Sequence, residues 1–254
     1  MGFFPNYSFE KTSADYFQKT LYNLVMDAII DNFLKDYFSL EIIPGNKVRI
    51  PYWRNRITHR GLCRIQGSFG GKGAPSQIKR ATIDRAKKSG IDINKLTSVQ
   101  IRKFMTQKRI GLDCSGFVFQ VLDFLFPGFW QGLKRAFGKS SNPIRRFNSD
   151  ALTSKENTIL IKKVEDIKVG DLIPISWQGK KVDHVLVVVE INKKEIVYAH
   201  SSQKTKITGP HKGKIKITDL KKGLDKQSWQ EKNLDGKLIS GFLTSPKARR
   251  IKND

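Results

Sequence analysis

The segment GLDCSGFVFQVLDFLF, residues 111–126, carries the chain's strongest candidate for covalent chemistry, Cys114. Asp113 is a good helix N-cap, so Cys114 falls in the first turn of a helix. Phe117, Val118, Val121, Leu122, Phe124 and Leu125 make that helix apolar on nearly every side, as expected of one that runs through a core. The positive end of the helix dipole favours thiolate, so the thiol is expected to titrate below its ordinary range. Gly116 leaves the approach to the helix start open. A lone cysteine is nevertheless most often a small buried hydrophobe, and a nucleophile needs a base and a group that orients the base.

Two of the four histidines (His59, His184, His200 and His211) can supply both. His184 opens VDHVLVVVEI and His200 closes EIVYAHSS, two apolar strands joined by a tight Asn-Lys-Lys connection. A three-residue loop centred on Asn192 would set the two rings directly opposite each other on one face. A two-residue turn would need a bulge to align them. Cys, His and His with no second cysteine and no carboxylate at ligand spacing make a poor metal site, so neither metal nor cofactor is expected.

The surrounding elements follow from periodicity and punctuation. Residues 13–38 read as an amphipathic helix with Phe17, Leu21, Leu24, Val25, Ala28, Phe33 and Tyr37 on its apolar side. Residues 41–52 alternate as a short edge strand, and the glycine cluster over 61–76 reads as loop. Within it GSFGGKGA is one residue short of a phosphate-binding loop, and Lys72 is followed by Gly rather than Ser or Thr. Helices are expected over 76–89, ending at Gly90, and over 97–109, starting at the capping box TSVQ. After a polar connector over 139–158 the pattern turns to strands. Lysines alternating through KTKITGPHKGKIKIT suggest a solvated edge strand, and Trp229 reads as core. The basic tail 247–254 is expected to fray. Helices first and strands after argue for an α+β fold.

At 254 residues the chain makes one domain or a small pair, and 16 Phe, 4 Trp and 6 Tyr exclude disorder along its length. No apolar run reaches the roughly 18 residues of a membrane span. No secretory signal is visible at the start, which points to the cytoplasm. Cys63 and Cys114 are too few for a disulfide framework. A net charge of +24 suggests an anionic partner: nucleic acid, an anionic wall polymer or a membrane surface. No nucleic-acid-binding signature accompanies it, so nucleic acid is not the expected partner.

DCSGFV, followed in order by VGDLIPI, DHV and YAHSS, resembles the NlpC family of papain-like cysteine peptidases of the bacterial cell wall. The resemblance covers about residues 48–201. It implies a papain-like catalytic domain over 47–246, with an N-terminal helical extension over 1–46 and a helical insertion over about 61–110. It also implies hydrolysis of the γ-D-glutamyl–diaminopimelate bond of peptidoglycan stem peptides, and hence a location at the cell wall. By the same resemblance Cys114 is the nucleophile, His184 the general base and His200 the orienting residue. Asp113 and Ser115 would bind the amino end of the stem peptide, and Tyr52 in IPYW would lie beside the cysteine. Two departures fall where substrate would lie: the long insertion between Tyr52 and Asp113, and Val185-Leu186 where the family has Val-Gly. A related amidase, transpeptidase or deamidase with the same triad stays open, as does a non-catalytic basic protein that binds nucleic acid.

Overall fold

The computed structural model describes residues 13–54, 56–57, 63–64, 68–131, 148–176, 182–239 and 247–252. Side-chain surroundings are described for the same residues except 13–24, 56–57 and 63–64. His59, the connector over 139–147 and the strand expected at the end of KLISGFLT fall outside them. The chain is mixed α+β, with five α-helices among the described residues and a large antiparallel sheet.

Helix α1 (Ser13–Phe38) lays Ile30, Leu34 and Tyr37 into the core. Phe33 stacks on Phe124 at 4.1 Å between ring centroids, and Tyr37 meets Phe117 edge-on at 5.3 Å. Val25 and Ala28, expected on the buried side, are exposed and border an open groove shared with Phe33 and Phe124. The apolar stripe of α1 is therefore buried only over its C-terminal half, from Ile30 to Tyr37. The edge strand expected over 41–52 is instead a two-stranded ribbon, β1 (Leu40–Ile43) with β2 (Asn46–Val48). Pro44 and Gly45, the latter at φ +76°, break the alternation and turn the chain. The glycine cluster is likewise not all loop: β3 (Arg56–Ile57) pairs with β4 (Cys63–Arg64).

Helices α2 (Pro75–Lys88) and α3 (Ser98–Gln107) fall where expected, α3 behind a complete Thr97–Gln100 capping box. Ile78, Ala81, Ile101, Phe104 and Met105 from these helices join the same core as Phe117, Val118 and Val121. Helices α2 and α3 are thus part of the hydrophobic core. Helix α4 (Cys114–Leu125) packs on β7 (His184–Ile191) and β8 (Glu195–Ser202), and α5 (Ser149–Leu152) is a single turn beside them.

The large sheet also contains β5 (Thr158–Ile161), β6 (Leu172–Ile175), β9 (Gly209–Lys216), β10 (Ser228–Trp229) and β11 (Ala248–Ile251), in the order β10-β9-β8-β7-β6-β11-β5. The pleat divides two cores. Val185, Val187, Val189, Val197 and Ala199 face the helices, whereas Leu186, Val188, Ile196, Tyr198, Ile215 and Trp229 pack on the opposite side. Trp229 is core, as expected. Strand β9 is not an edge: it pairs with β8 along its whole length and with β10 at two residues. The tail expected to fray forms β11, a strand inside the sheet. Its arginines are anchored, Arg250 by two bonds of 2.7 and 2.8 Å to the buried Asp171, and Arg249 by one of 2.6 Å to Thr158.

Candidate active site

Three chain segments converge on the two residues before Cys114. Leu112 donates its N–H to the Pro51 carbonyl and accepts from Trp53 N–H, and Asp113 N–H donates to the Gly71 carbonyl at 3.0 Å. Gly71 adopts φ +84°, and a Cβ there would stand 2.6 Å from the Trp53 carbonyl oxygen. A Cβ on Gly116 would stand 2.1 Å from the Gly71 carbonyl oxygen. Glycine is required at both places because backbone passes directly over the helix start. Asp113 caps α4 as expected, accepting Gly116 N–H at 2.6 Å.

The same convergence buries Lys72. Its ammonium donates to both Asp113 oxygens (2.6 and 2.8 Å) and to Ser115 Oγ (2.5 Å), with the lysine side chain only 4% exposed. Asp113 and Ser115, expected to hold the amino end of a substrate, are both bonded to this lysine. Tyr52 bridges to Leu112 and lies beside Cys114, where resemblance put it. Burial, and then the charge of Cys114, push its phenol well above the ordinary range.

Cys114 reaches β7 at its first residue. Its thiol donates to the Asp183 carbonyl at 4.0 Å and is also bonded by Val185 N–H, so it touches main chain on both sides of His184. The dipole argument for a depressed thiol fails. Burial pushes Cys114 up to about 12 and Asp113 adds to the rise, outweighing Lys72 and the N–H groups of Val185 and Ser115. The resting group is a neutral thiol.

His184 Nε2 and His200 Nδ1 are 2.7 Å apart. They share a face through the bulge, not through a three-residue loop. Asn192 N–H donates to the Glu195 carbonyl, closing a two-residue Lys193-Lys194 turn, and Ile191 pairs with Ile196. That register alone would put the two rings on opposite faces. The pairing shifts at Val189, after which Val188 faces Tyr198 and Val187 faces Ala199. His184 then lies diagonal to His200 on the same face of the sheet. Burial, and then the neighbouring His200, hold His184 well below its ordinary pKa. Burial also lowers His200.

The hydrogen bonds continue beyond the expected triad. His200 Nε2 is 3.0 Å from both His211 Nε2 and Glu231 Oε1, and His211 Nε2 is 2.6 Å from the same Oε1. Glu231 Oε2 accepts from Tyr198 Oη at 2.5 Å, and His211 Nδ1 lies 2.8 Å from the Gly209 carbonyl. Burial would raise the Glu231 carboxyl, but His200 and His211 together pull it well below the usual carboxylate range. His200, His211 and Glu231 also form the one group among the described residues whose donor atoms converge closely enough to hold a metal ion. The sequence reading named neither Lys72 nor Glu231 as a site residue. His211 was countable as a histidine, and its place on β9 opposite His200 follows only from the β8–β9 register.

Set against known protein families, curated proteins and solved structures, the chain finds no match.

Proposed function

We propose that this chain is a papain-like cysteine hydrolase that cleaves an amide bond of peptidoglycan stem peptides through a thioester. The observation that carries the reading is the meeting of Cys114, in the first turn of a buried helix, with main chain on both sides of a histidine that is itself bonded to a second histidine. The resemblance to the NlpC family supplies the substrate class. Because the resting thiol is neutral, His184 takes its proton as sulfur attacks the carbonyl. The oxyanion is held by N–H groups at the helix start, Cys114's own among them. Collapse passes the proton from His184 to the leaving amine. Water, deprotonated by His184, then releases the acid from the thioester and restores the thiol.

Lys72 alters what enters the acyl side. With its ammonium on Asp113 and Ser115, a substrate gains nothing there from a free amino group, so stem peptides with an acylated amino end are accepted as well as free ones. The net charge of +24 concentrates the enzyme on an anionic wall polymer and leaves bond selection to the cleft. The test is mass spectrometry of γ-D-glutamyl–diaminopimelate peptides, free and N-acetylated, incubated with wild type and Cys114→Ala. Cleavage of both by the wild type alone is expected. Cleavage that survives Cys114→Ala refutes the nucleophile. No cleavage, together with tight salt-dependent oligonucleotide binding, replaces the reading with the nucleic-acid one.

A further inference from the structure

We propose that His200, His211 and Glu231 bind a divalent transition-metal ion, zinc by the chemistry of the three donors, and that the ion ties β8, β9 and the segment just past β10 together. The proposal stands apart from the hydrolase reading, since it gives the ion no step in that reaction.

Strand pairing assembles the site. His200 on β8 and His211 on β9 are Cα partners in an antiparallel ladder, so their side chains rise side by side from one face of the sheet. Strand β10 pairs with β9 through Trp229 and Ile215, and Gln230 N–H continues the pairing to the Lys214 carbonyl. Glu231 follows directly and brings its carboxylate to the two rings. His200 Nε2, His211 Nε2 and Glu231 Oε1 form a triangle with sides of 3.0, 3.0 and 2.6 Å. A ring nitrogen offers a single in-plane direction for bonding. His200 Nε2 nevertheless faces two partners at 3.0 Å, and one direction cannot serve both well. A cation over the triangle needs only one direction from each atom. Zinc at about 2.0–2.1 Å from each ligand sets tetrahedral ligands about 3.3–3.4 Å apart, so the triangle has to open by only about 0.3–0.8 Å.

The ligand atoms that face away from the triangle are held as the outer groups of a metal site are held. His211 Nδ1 lies 2.8 Å from the Gly209 carbonyl, and His200 Nδ1 lies 2.7 Å from His184 Nε2. Glu231 Oε2 accepts from Tyr198 Oη at 2.5 Å, which leaves Oε1 to the triangle. Thr205 offers a fourth oxygen, its Oγ1 lying 3.4 Å from His211 Nε2. That hydroxyl donates its hydrogen to the Ile207 carbonyl at 2.9 Å, so its lone pairs stay available. Two imidazoles argue against calcium and magnesium, which take oxygen ligands. The side chains of His200, His211 and Glu231 are 1%, 4% and 8% exposed, so the site is closed, as a zinc site that serves structure is. Sequence spacing hides the set, because the two histidines stand 11 residues apart and Glu231 lies 20 beyond the second.

The test strips the full chain with a chelator and returns zinc. Wild type should take up one equivalent at micromolar zinc, counted by elemental mass spectrometry. Its urea midpoint should rise with zinc concentration, because the unfolded chain lacks the assembled site. X-ray absorption of the zinc form should show about four nitrogen or oxygen neighbours at about 2.0–2.1 Å and no sulfur at about 2.3 Å. Tyr198→Phe should weaken binding about 10–100-fold, the effect of losing an outer partner, and Glu231→Gln or His211→Ala by more. Cys114→Ala should keep the zinc. Stripped wild type that takes up no zinc overturns the proposal, and so does sulfur among the neighbours; neither result depends on a variant folding. Zinc held unchanged by folded Glu231→Gln and His211→Ala, or lost from folded Cys114→Ala, overturns it as well. Zinc binding without cleavage of any stem peptide refutes the hydrolase reading alone, and cleavage by a protein that binds no zinc refutes the metal site alone.

Discussion

Replacing Lys72 by methionine leaves the side chain one atom shorter and removes its charge from beneath helix α4. The lysine side chain is 4% exposed and its partner Asp113 12%, so solvent screens the pair little. Breaking a buried ion pair from one side costs about 3–5 kcal/mol, because the partner's charge is left without compensation. Asp113 keeps the Gly116 N–H and the Ser115 hydroxyl, which places the expected loss toward the lower end of that range. Against a total stability of about 5–15 kcal/mol the loss is large. With a urea m-value of about 1–3 kcal/mol/M the unfolding midpoint should fall by at least about 1 M. The assay is urea unfolding followed by tryptophan fluorescence, on the single variants and on Lys72→Met/Asp113→Asn. The double variant should be more stable than the sum of the single losses predicts, since it removes both charges. A loss below about 1 kcal/mol, the range of an exposed pair, would refute the burial argument. So would a loss that vanishes at high salt.

Gly116→Ala, which sets a methyl group 2.1 Å from the Gly71 carbonyl oxygen, should cost at least about 1–3 kcal/mol in the same unfolding assay and lower the alkylation rate of Cys114. With its thiol pushed up to about 12, folded Cys114 should react with iodoacetamide ever faster as pH rises past 9, whereas a plateau near pH 7–8 would show a preformed thiolate. His184 and His200 have folded pKa values below their unfolded ones, so the stability they contribute is present above about pH 6.5 and lost as pH falls below it. Each imidazole that stays neutral adds a slope of about 1.4 kcal/mol per pH unit, and His200→Asn should remove part of that slope in pH-dependent unfolding. Arg250→Ala, which leaves the buried Asp171 without its two guanidinium bonds, should cost about 1.5–3 kcal/mol by urea unfolding.

What could be read in advance was whatever local chemistry decides. The Thr97–Gln100 box starts α3, Gly90 follows α2, and Asp113 starts α4 at the expected residue, because each cap is made by groups within a few positions. His184 and His200 were expected on one face, and of the two routes open to them the two-residue turn with a bulge at Val189 is the one that puts them there. Lys72 was read only as part of a glycine loop, since nothing nearby in sequence shows that Asp113 closes over it. The arginines of β11 read as a tail because their partners, Asp171 and Thr158, lie some 80–90 residues away in the chain. The thiol's titration was misjudged for a different reason. The helix dipole is visible in a sequence, whereas burial of the thiol is a property of the packed molecule.

Strand β11 also sets a timetable. The strands β6 to β10 follow one another along the chain and can zip together as each is synthesised. Strand β5 cannot join them then, because its sheet neighbour among the described strands is β11, with Leu160 paired to Arg249. At about 5–20 residues per second, β5 waits roughly 5–20 s on the ribosome for that neighbour to be made. During that interval β6 presents an open edge to any extended chain nearby, the exposure that invites mispairing. Proteolytic loss of residues 248–251 would recreate it, releasing two strands from the sheet rather than one.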